Sequence, residues 1–131
     1  MAYVQLMMLL ALLEFLVFGY AVGHARERYN VPAPATTGNE VFERYFRAQM
    51  NTLEQLMVFL PSIWLFARYI NAWAAAALGA LFIIGRVLYF RGYVQAPRSR
   101  HAGFLLSAIP NVTLLVGALI GVIRALIIGG G

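Results

Sequence analysis

Residues 42–55 read FERYFRAQMNTLEQ and form the polar start of a helix that continues into the apolar run LMVFLPSIWLF at residues 56–66. At 3.6 residues per turn, Arg47, Asn51 and Glu54 fall at i, i+4 and i+7 and form one polar stripe. A guanidinium, an amide and a carboxylate in this arrangement can bind a small zwitterionic ligand where a helix enters a membrane. The same spacing is also typical of a solvated helix end, so the stripe alone leaves both interpretations open.

The composition around this segment favours an integral membrane protein. The chain of 131 residues is 62% hydrophobic and 11% charged, whereas an average soluble domain is roughly half apolar. All ten basic residues are arginine and all five acidic residues are glutamate, for a formal net charge of +5. In a membrane protein this excess indicates topology and contact with anionic membrane lipid, and not nucleic-acid binding. Without cysteine, and with two histidines far apart, no disulfide and no metal site are predicted.

The hydropathy pattern predicts an all-α fold, an integral membrane four-helix bundle formed by a single domain of residues 1–131. Each apolar segment is close to the roughly 20 residues that a helix needs to cross the hydrocarbon core of a bilayer. Prolines and glycines interrupt the chain between the segments. The helices are expected at about residues 2–28, 39–69, 72–95 and 100–128.

The arginines predict the orientation of this bundle in the membrane. They flank the first and third loops, whereas the turn between the second and third helices has only Arg68 nearby. Cytoplasmic loops carry an excess of basic residues, so the first and third loops should face the cytosol. The arginines on which this prediction depends are Arg26, Arg28, Arg44, Arg47, Arg91, Arg98 and Arg100.

A second polar group is expected at the same cytosolic end. Tyr89 and Tyr93 are one helical turn apart on the third helix, and Arg100 follows at the start of the fourth. Tyrosines at this depth are also typical of an aromatic belt, and arginines there are typical topology signals. The convergence of hydroxyl, guanidinium, amide and carboxylate groups from separate helices nevertheless favours a ligand site.

The residues FERYFRAQMNTLEQ, preceded by PATTGNEV and followed later by RVLYFRGYVQAPRSR, resemble the motifs of the membrane-associated proteins in eicosanoid and glutathione metabolism. This superfamily includes microsomal glutathione transferases and leukotriene-forming synthases, and the resemblance covers nearly the whole chain. The pattern R-A-Q-x-N-x-x-E is the more specific motif. The resemblance implies a homotrimer in a bacterial inner membrane, with glutathione bound between neighbouring subunits near the cytosolic face.

The resemblance also implies a role for each motif residue. The glutathione-binding residues would be Arg26, Arg47, Gln49, Asn51, Glu54, Tyr89 and Tyr93, with Gln49 serving the adjacent subunit and Arg26 reaching a carboxylate of the peptide. The catalytic residues would be Arg100, which contacts the thiol, and Tyr93. Glu27 and Gln55 stand where the leukotriene-forming branch has an arginine and a tyrosine, so glutathione binding is expected and leukotriene formation is not.

The chemistry of glutathione agrees with this set of residues. Glutathione carries two carboxylates and one ammonium, so a pocket with more cations than anions suits it. Its thiol must ionise before it attacks an electrophile, and lowering a thiol pKa of about 8.5 by about two units requires roughly 2.7 kcal/mol. Arg100, beside a helix N-terminus, can supply positive potential without accepting a proton. A hydroxyl donor such as Tyr93 is the next candidate for stabilising the sulfur.

The sequence therefore predicts a membrane-bound glutathione transferase that conjugates the thiolate of its co-substrate, glutathione, to lipophilic electrophiles. Glutathione-dependent peroxidase activity is an extension of the same chemistry. The alternative is a non-catalytic membrane protein of the same fold that binds lipid or a partner protein. Two charges lie deeper in the helices: Glu14 is expected to contact a neighbouring helix or subunit, and Arg86 is expected to pair with Glu54 or Glu14 as part of the scaffold.

Overall fold

A computed structural model describes residues 1–129 of the chain, and the last two residues of the predicted domain lie outside the described part. The described chain forms four long helices, and the prediction of an all-α protein with four helices is confirmed. A short 3-10 helix, Pro97–Arg100, precedes the fourth of them. The α-helices are α1 (Ala2–Tyr29), α2 (Glu40–Tyr69), α3 (Ala72–Gln95) and α4 (His101–Ile127).

Short polar side chains set the starts of α2 and α3. The side-chain oxygen of Asn39 accepts a hydrogen bond from the backbone N–H of Phe42 at 2.9 Å, and that of Asn71 accepts from Ala74 at 2.9 Å. Such caps satisfy backbone donors that have no partner within the helix. At the other end of the first loop, α1 stops at Asn30, which has a left-handed backbone conformation with φ 56°. These boundaries are therefore decided by residues close in sequence.

Aromatic contacts show how the helices are arranged. Near the start of the chain the ring of Tyr3 in α1 lies 4.7 Å from the ring of Trp73 in α3, measured between centroids. Toward the other end, Phe18 of α1 stacks on Phe90 of α3 with the centroids 4.2 Å apart. These two contacts show that α1 and α3 run in the same direction, and α2 and α4 run in the opposite direction. The loop before α2 and the 3-10 helix before α4 therefore lie at one end of the bundle, called here the rim.

Three segments of the described chain are long and apolar enough to cross a membrane: Ala2–Tyr29, Ala72–Gln95 and Arg98–Ile127. The helix α2 is equally long, but its first half carries glutamates and arginines, which lower the hydropathy of that half. The prediction that α2 also crosses the membrane stays a prediction. Apolar side chains on the outer face of α1, such as Leu9, Leu16 and Tyr20, are 64%, 68% and 79% exposed in the single chain. This face is suited to contact with lipid or with another subunit.

Glycines allow α3 and α4 to approach closely near the rim. A β-carbon on Gly103 of α4 would overlap the backbone of Tyr89, and one on Gly85 of α3 would overlap the backbone of Ser107. Gly117 and Gly121, which share the GxxxG spacing, lie instead against side chains of α2 and the turn that follows it. The small residues thus position α4 against both α2 and α3.

Candidate functional site

Four of the predicted site residues come from four different elements and lie toward the rim. Arg26 belongs to the last turn of α1, and Tyr93 belongs to the end of α3. Arg47 lies in the first half of α2, and Arg100 is the N-cap residue of α4. The alternating direction of the helices brings these sequence-distant residues to the same end of the bundle.

The predicted catalytic residues are adjacent in the structure. The guanidinium carbon of Arg100 lies 5.4 Å from the centre of the Tyr93 ring, within range of a cation–π contact. The ring centroid of Tyr93 is in turn 5.6 Å from that of Tyr89. Because Arg100 occupies the N-cap position of α4, its charge is added to the positive end of the helix dipole.

The two sequence motifs meet in a small pocket at the rim. Arg47 from the first motif and Tyr93 from the second line a cavity of about 200 Å³, together with Glu40, Glu43 and Arg44. The Nε of Arg44 donates a hydrogen bond of 3.3 Å to the carbonyl oxygen of Val94, which links α2 to the end of α3. The pocket therefore offers groups of both charge signs next to a tyrosine.

A buried polar cluster lies deeper, around the guanidinium of Arg86, which is 0% exposed. This deep polar cluster consists of Asn51 and Thr52 from α2, Arg86 from α3 and Ser107 from α4. Arg86 donates to Asn51 Oδ1 at 2.8 Å, to Thr52 Oγ1 at 2.8 and 3.2 Å, and to Ser107 Oγ at 3.2 Å. The cluster connects to the rim because the Arg86 guanidinium carbon lies 4.1 Å from the centre of the Tyr89 ring.

The prediction that Arg86 pairs with Glu54 is wrong, because the guanidinium donates to the neutral oxygens of the deep polar cluster while Glu54 lies on the exposed surface of α2. Glu14 is buried and faces Arg86 of α3, which agrees with the expected contact to a neighbouring helix. Glu14 and Arg86 interact electrostatically, but neither carboxylate oxygen of Glu14 has a hydrogen-bond partner among the described residues. Both residues lie one turn below the stacked Phe18 and Phe90, so Glu14 and Arg86 sit at similar depth on facing helices.

The residues of the polar stripe predicted on α2 differ in their exposure in the structure. Arg47 and Glu54 are exposed, whereas Asn51 is half-buried and hydrogen-bonded to Arg86. Gln49, expected to serve an adjacent subunit, packs against Gly19 of α1, because a β-carbon there would lie 2.8 Å from the Gln49 Nε2. The structure therefore links Asn51 to Tyr89, Tyr93 and Arg100 through Arg86, keeps Arg47 and Glu54 exposed beside Asn51, and places Gln49 on another face, against α1.

Arg26 forms hydrogen bonds to the loop between α1 and α2. Its guanidinium donates hydrogen bonds to the carbonyl oxygens of Ala35 at 2.6 Å and Val31 at 3.3 Å, and it lies 4.8 Å from the centre of the Phe42 ring. It also lines an open cavity of about 650 Å³ with Glu27 and other residues at the end of α1. Part of its hydrogen-bonding capacity is thus used by the loop.

Sequence reasoning missed several polar residues inside the bundle. Thr52 and Ser107 complete the deep polar cluster, and one turn further from the rim the Asn111 Nδ2 donates to the Gln55 Oε1 at 3.0 Å. A signal for them was present, since serine, threonine and asparagine in the middle of apolar helices need partners. Beyond Gln55 and Asn111, an apolar groove of about 440 Å³ runs between α2 and α4 and is lined by residues such as Pro61, Leu65 and Leu119.

Residues 4–120 match the family model described as MAPEG family. The chain belongs to the MAPEG family. MAPEG abbreviates the superfamily that the two motifs predicted, so that prediction is confirmed. This MAPEG protein, with three segments able to span a bilayer, is an integral membrane protein.

Relatives of this MAPEG protein include enzymes that use glutathione. It is 45% identical over 103 residues to microsomal glutathione S-transferase 2 of Homo sapiens, which covers 78% of this chain and 70% of that protein. It is 35% identical over 125 residues to leukotriene C4 synthase of Rattus norvegicus, covering 89% of this chain and 83% of that protein. An uncharacterized protein of Synechocystis sp. is 51% identical over 114 residues, covering 87% of this chain and 83% of that protein. The glutathione S-transferase among these relatives implies glutathione as the co-substrate.

No group of three or more His, Asp or Glu side chains that could hold a metal ion occurs within residues 1–129. The side chains that line the rim pocket are arginine, glutamate and tyrosine. The arginines and the tyrosine can bind carboxylates, donate hydrogen bonds and stabilise a developing negative charge.

Proposed function

We propose that this MAPEG protein is a membrane-bound glutathione transferase that conjugates glutathione to lipophilic electrophiles. The observation that carries the proposal is the meeting of Arg47, Tyr93 and Arg100 at the rim, where the first two line one pocket and the third lies over the tyrosine ring. Arginines suit the two carboxylates of glutathione, and the exposed Glu54 suits its ammonium group. The relatives that are glutathione transferases support the same reaction.

In the proposed reaction the positive charge of Arg100 stabilises the thiolate of bound glutathione, and the thiol proton leaves to water. The sulfur then forms a bond to the electrophilic carbon while the leaving group departs with its electron pair. If the electrophile is instead a lipid hydroperoxide, two glutathione molecules supply the two electrons and yield the disulfide, the alcohol and water. The apolar groove between α2 and α4 supports a lipophilic second substrate, because such a molecule can reach the bundle from within the bilayer.

The test of this proposal is a titration of the detergent-purified protein with glutathione, followed by the ultraviolet absorbance of the thiolate. We expect a saturable thiolate signal at neutral pH, because an ordinary thiol with a pKa of about 8.5 is largely protonated there. Arg47→Ala should weaken binding about 10-fold to 150-fold, since it removes a charge-assisted contact worth roughly 1.5 to 3 kcal/mol. Arg124→Ala, at the end of α4 far from the rim, is the matched control and should bind normally. Normal affinity in a folded Arg47→Ala variant would remove Arg47 from the site.

We further propose that the working unit is a homotrimer, with the site between subunits at the cytosolic face. The rim pocket of about 200 Å³ is smaller than the roughly 300–1,000 Å³ typical of small-molecule pockets, which favours a site completed by a neighbouring subunit. The exposed apolar face of α1 is available for that contact.

The oligomeric state can be measured directly in mild detergent by light scattering or native mass measurement. We expect a mass of three chains after the contribution of the detergent is subtracted. A stable monomer that binds glutathione with full affinity would contradict the proposal that two subunits form the site.

A further inference from the structure

The hydrogen bonds of the deep polar cluster all converge on one donor-only group. The Arg86 guanidinium has no acceptor atom, and three neutral side chains from two other helices accept its hydrogen bonds. Thr52 and Ser107 also donate their own hydroxyl protons to backbone carbonyls of their helices, at 3.0 Å to Ala48 and 3.1 Å to Gly103. Each hydroxyl therefore accepts from Arg86 and donates to a carbonyl, and these two hydrogen bonds fix its orientation.

The same reasoning determines the orientation of Asn51. An asparagine amide can present either its oxygen or its NH₂ group to a neighbour, but only the oxygen can accept from a guanidinium. The 2.8 Å contact from Arg86 therefore turns the Asn51 Oδ1 inward. Arg86 is fully buried and Asn51 only half-buried, so the group that Asn51 can offer to a ligand outside the cluster is its Nδ2 donor.

Arg86 also contacts the second motif. Its guanidinium carbon lies 4.1 Å from the centre of the Tyr89 ring, and that ring is 5.6 Å from the ring of Tyr93. One buried side chain thus touches a predicted glutathione-binding residue from each of the two motifs. Neither contact requires Arg86 to reach the ligand itself.

We propose that Arg86 is a positioning residue that makes Asn51 a hydrogen-bond donor toward glutathione, so that Asn51 selects an acceptor group of the peptide, a carboxylate or a peptide carbonyl. This inference rests on the proposed function, because it takes glutathione as the ligand at Asn51. The Nδ2 end of the Asn51 amide faces the ligand, and the buried Arg86 determines that orientation. Charge-assisted bonds from arginine are strong enough to hold one amide orientation.

The sharpest test is Asn51→Asp, which keeps the size and the acceptor for Arg86 but replaces the outward donor with a second acceptor. We expect the midpoint of thermal unfolding in detergent to stay the same or rise, because a carboxylate is a better partner for the guanidinium. The dissociation constant for glutathione should rise at least about tenfold, because an acceptor would now face an acceptor. Asn71→Asp, which introduces the same change at the N-cap of α3, at the opposite end of the bundle, is the matched control and should bind normally. Normal glutathione affinity in Asn51→Asp would overturn the proposal.

A second variant tests whether Arg86 acts through Asn51. Arg86→Lys keeps the charge, but a single ammonium group cannot reproduce the planar fork that reaches three side chains. We expect about tenfold weaker glutathione binding in the wild-type background and no further weakening in an Asn51→Ala background. The same loss in both backgrounds would show a general structural role and would overturn the proposal. If Arg86→Lys does not fold, the result for Asn51→Asp decides the question alone.

The titration of the wild-type protein separates this inference from the proposed function. Absence of glutathione binding in the wild-type protein would overturn the proposed function and this inference with it. Saturable binding in the wild type, with equal binding in Asn51→Asp, would leave the transferase proposal standing and overturn only the role of Arg86.

Discussion

Arg100→Ala should lower the fraction of bound glutathione that is ionised at pH 7 about 25-fold, from about three quarters to about 3%. These values follow if the guanidinium lowers the thiol pKa from about 8.5 to about 6.5, a change of roughly 2.7 kcal/mol. Arg100 is the N-cap residue of α4 and lies over the Tyr93 ring, so its charge and the helix dipole act at the same place. The affinity for glutathione should change by only a few-fold, since other groups hold the peptide.

The measurement is the pH dependence of thiolate absorbance and of the conjugation rate with a chlorodinitrobenzene-type electrophile. In Arg100→Ala the midpoint of both profiles should move up by about two pH units, because the thiolate loses a positive neighbour. Arg100→Lys keeps the charge without the planar fork and should recover part of the shift. Arg98→Ala, in the same 3-10 helix, is the matched control and should leave the profiles in place. Unchanged profiles in Arg100→Ala would transfer the role to the hydroxyl of Tyr93.

Gly103→Ala should destabilise the bundle by about 3 kcal/mol or more, because the added methyl group would overlap the backbone of Tyr89. The helices α3 and α4 would have to separate at the depth of the predicted tyrosine site. Glutathione binding should therefore be lost together with stability. The midpoint of thermal unfolding in mild detergent reports the first effect, and the thiolate titration reports the second.

Gly23→Ala is the matched control for this substitution. Gly23 lies within α1, and a β-carbon there would meet no other atom within 4 Å. Alanine should stabilise that helix by roughly 0.5 to 1 kcal/mol, because glycine loses more backbone entropy on folding. An unfolding midpoint for Gly103→Ala equal to that of Gly23→Ala would mean that α3 and α4 do not pack as closely as the structure shows.

Arg100 and Arg86 are proposed to act through different properties of the arginine side chain. At the rim, the charge of Arg100 is needed near a reacting sulfur, and the site remains open to water and to glutathione. In the bundle, Arg86 is needed for its geometry, because its fork orients side chains from two neighbouring helices. Substitution by lysine is therefore expected to preserve part of the function at Arg100 but to weaken binding at Arg86.

Local features of the sequence predicted the elements and the general position of the site. The helix starts are readable too, because the caps Asn39 and Asn71 are residues of a type preferred at that position. Length and hydropathy predicted four helices, and two motifs predicted the family that the comparison then confirmed. These features are readable because a cap, a turn or a helical stripe involves residues within a few positions of one another.

The partners of buried polar groups could not be predicted in the same way. Arg86 was expected to pair with Glu54 or Glu14; it faces Glu14, but its hydrogen-bond acceptors are three neutral side chains separated from it by 21, 34 and 35 residues. Their positions depend on how α2, α3 and α4 cross, and that crossing depends on the absence of a side chain at Gly85 and Gly103. A sequence pattern does not show which side chains of different helices come within hydrogen-bonding distance of one another.

The sequence alone thus determined the all-α class, three membrane-spanning segments, the family and the concentration of arginine and tyrosine at the rim. The tertiary structure decided that Asn51 turns inward to Arg86, that Arg47 and Glu54 remain exposed, and that Glu14 faces Arg86 without a hydrogen bond. The physical reason is the range of the interactions. Hydrophobic patterning and capping act along one helix, whereas a buried hydrogen bond needs donor and acceptor from different helices to meet within about 3 Å.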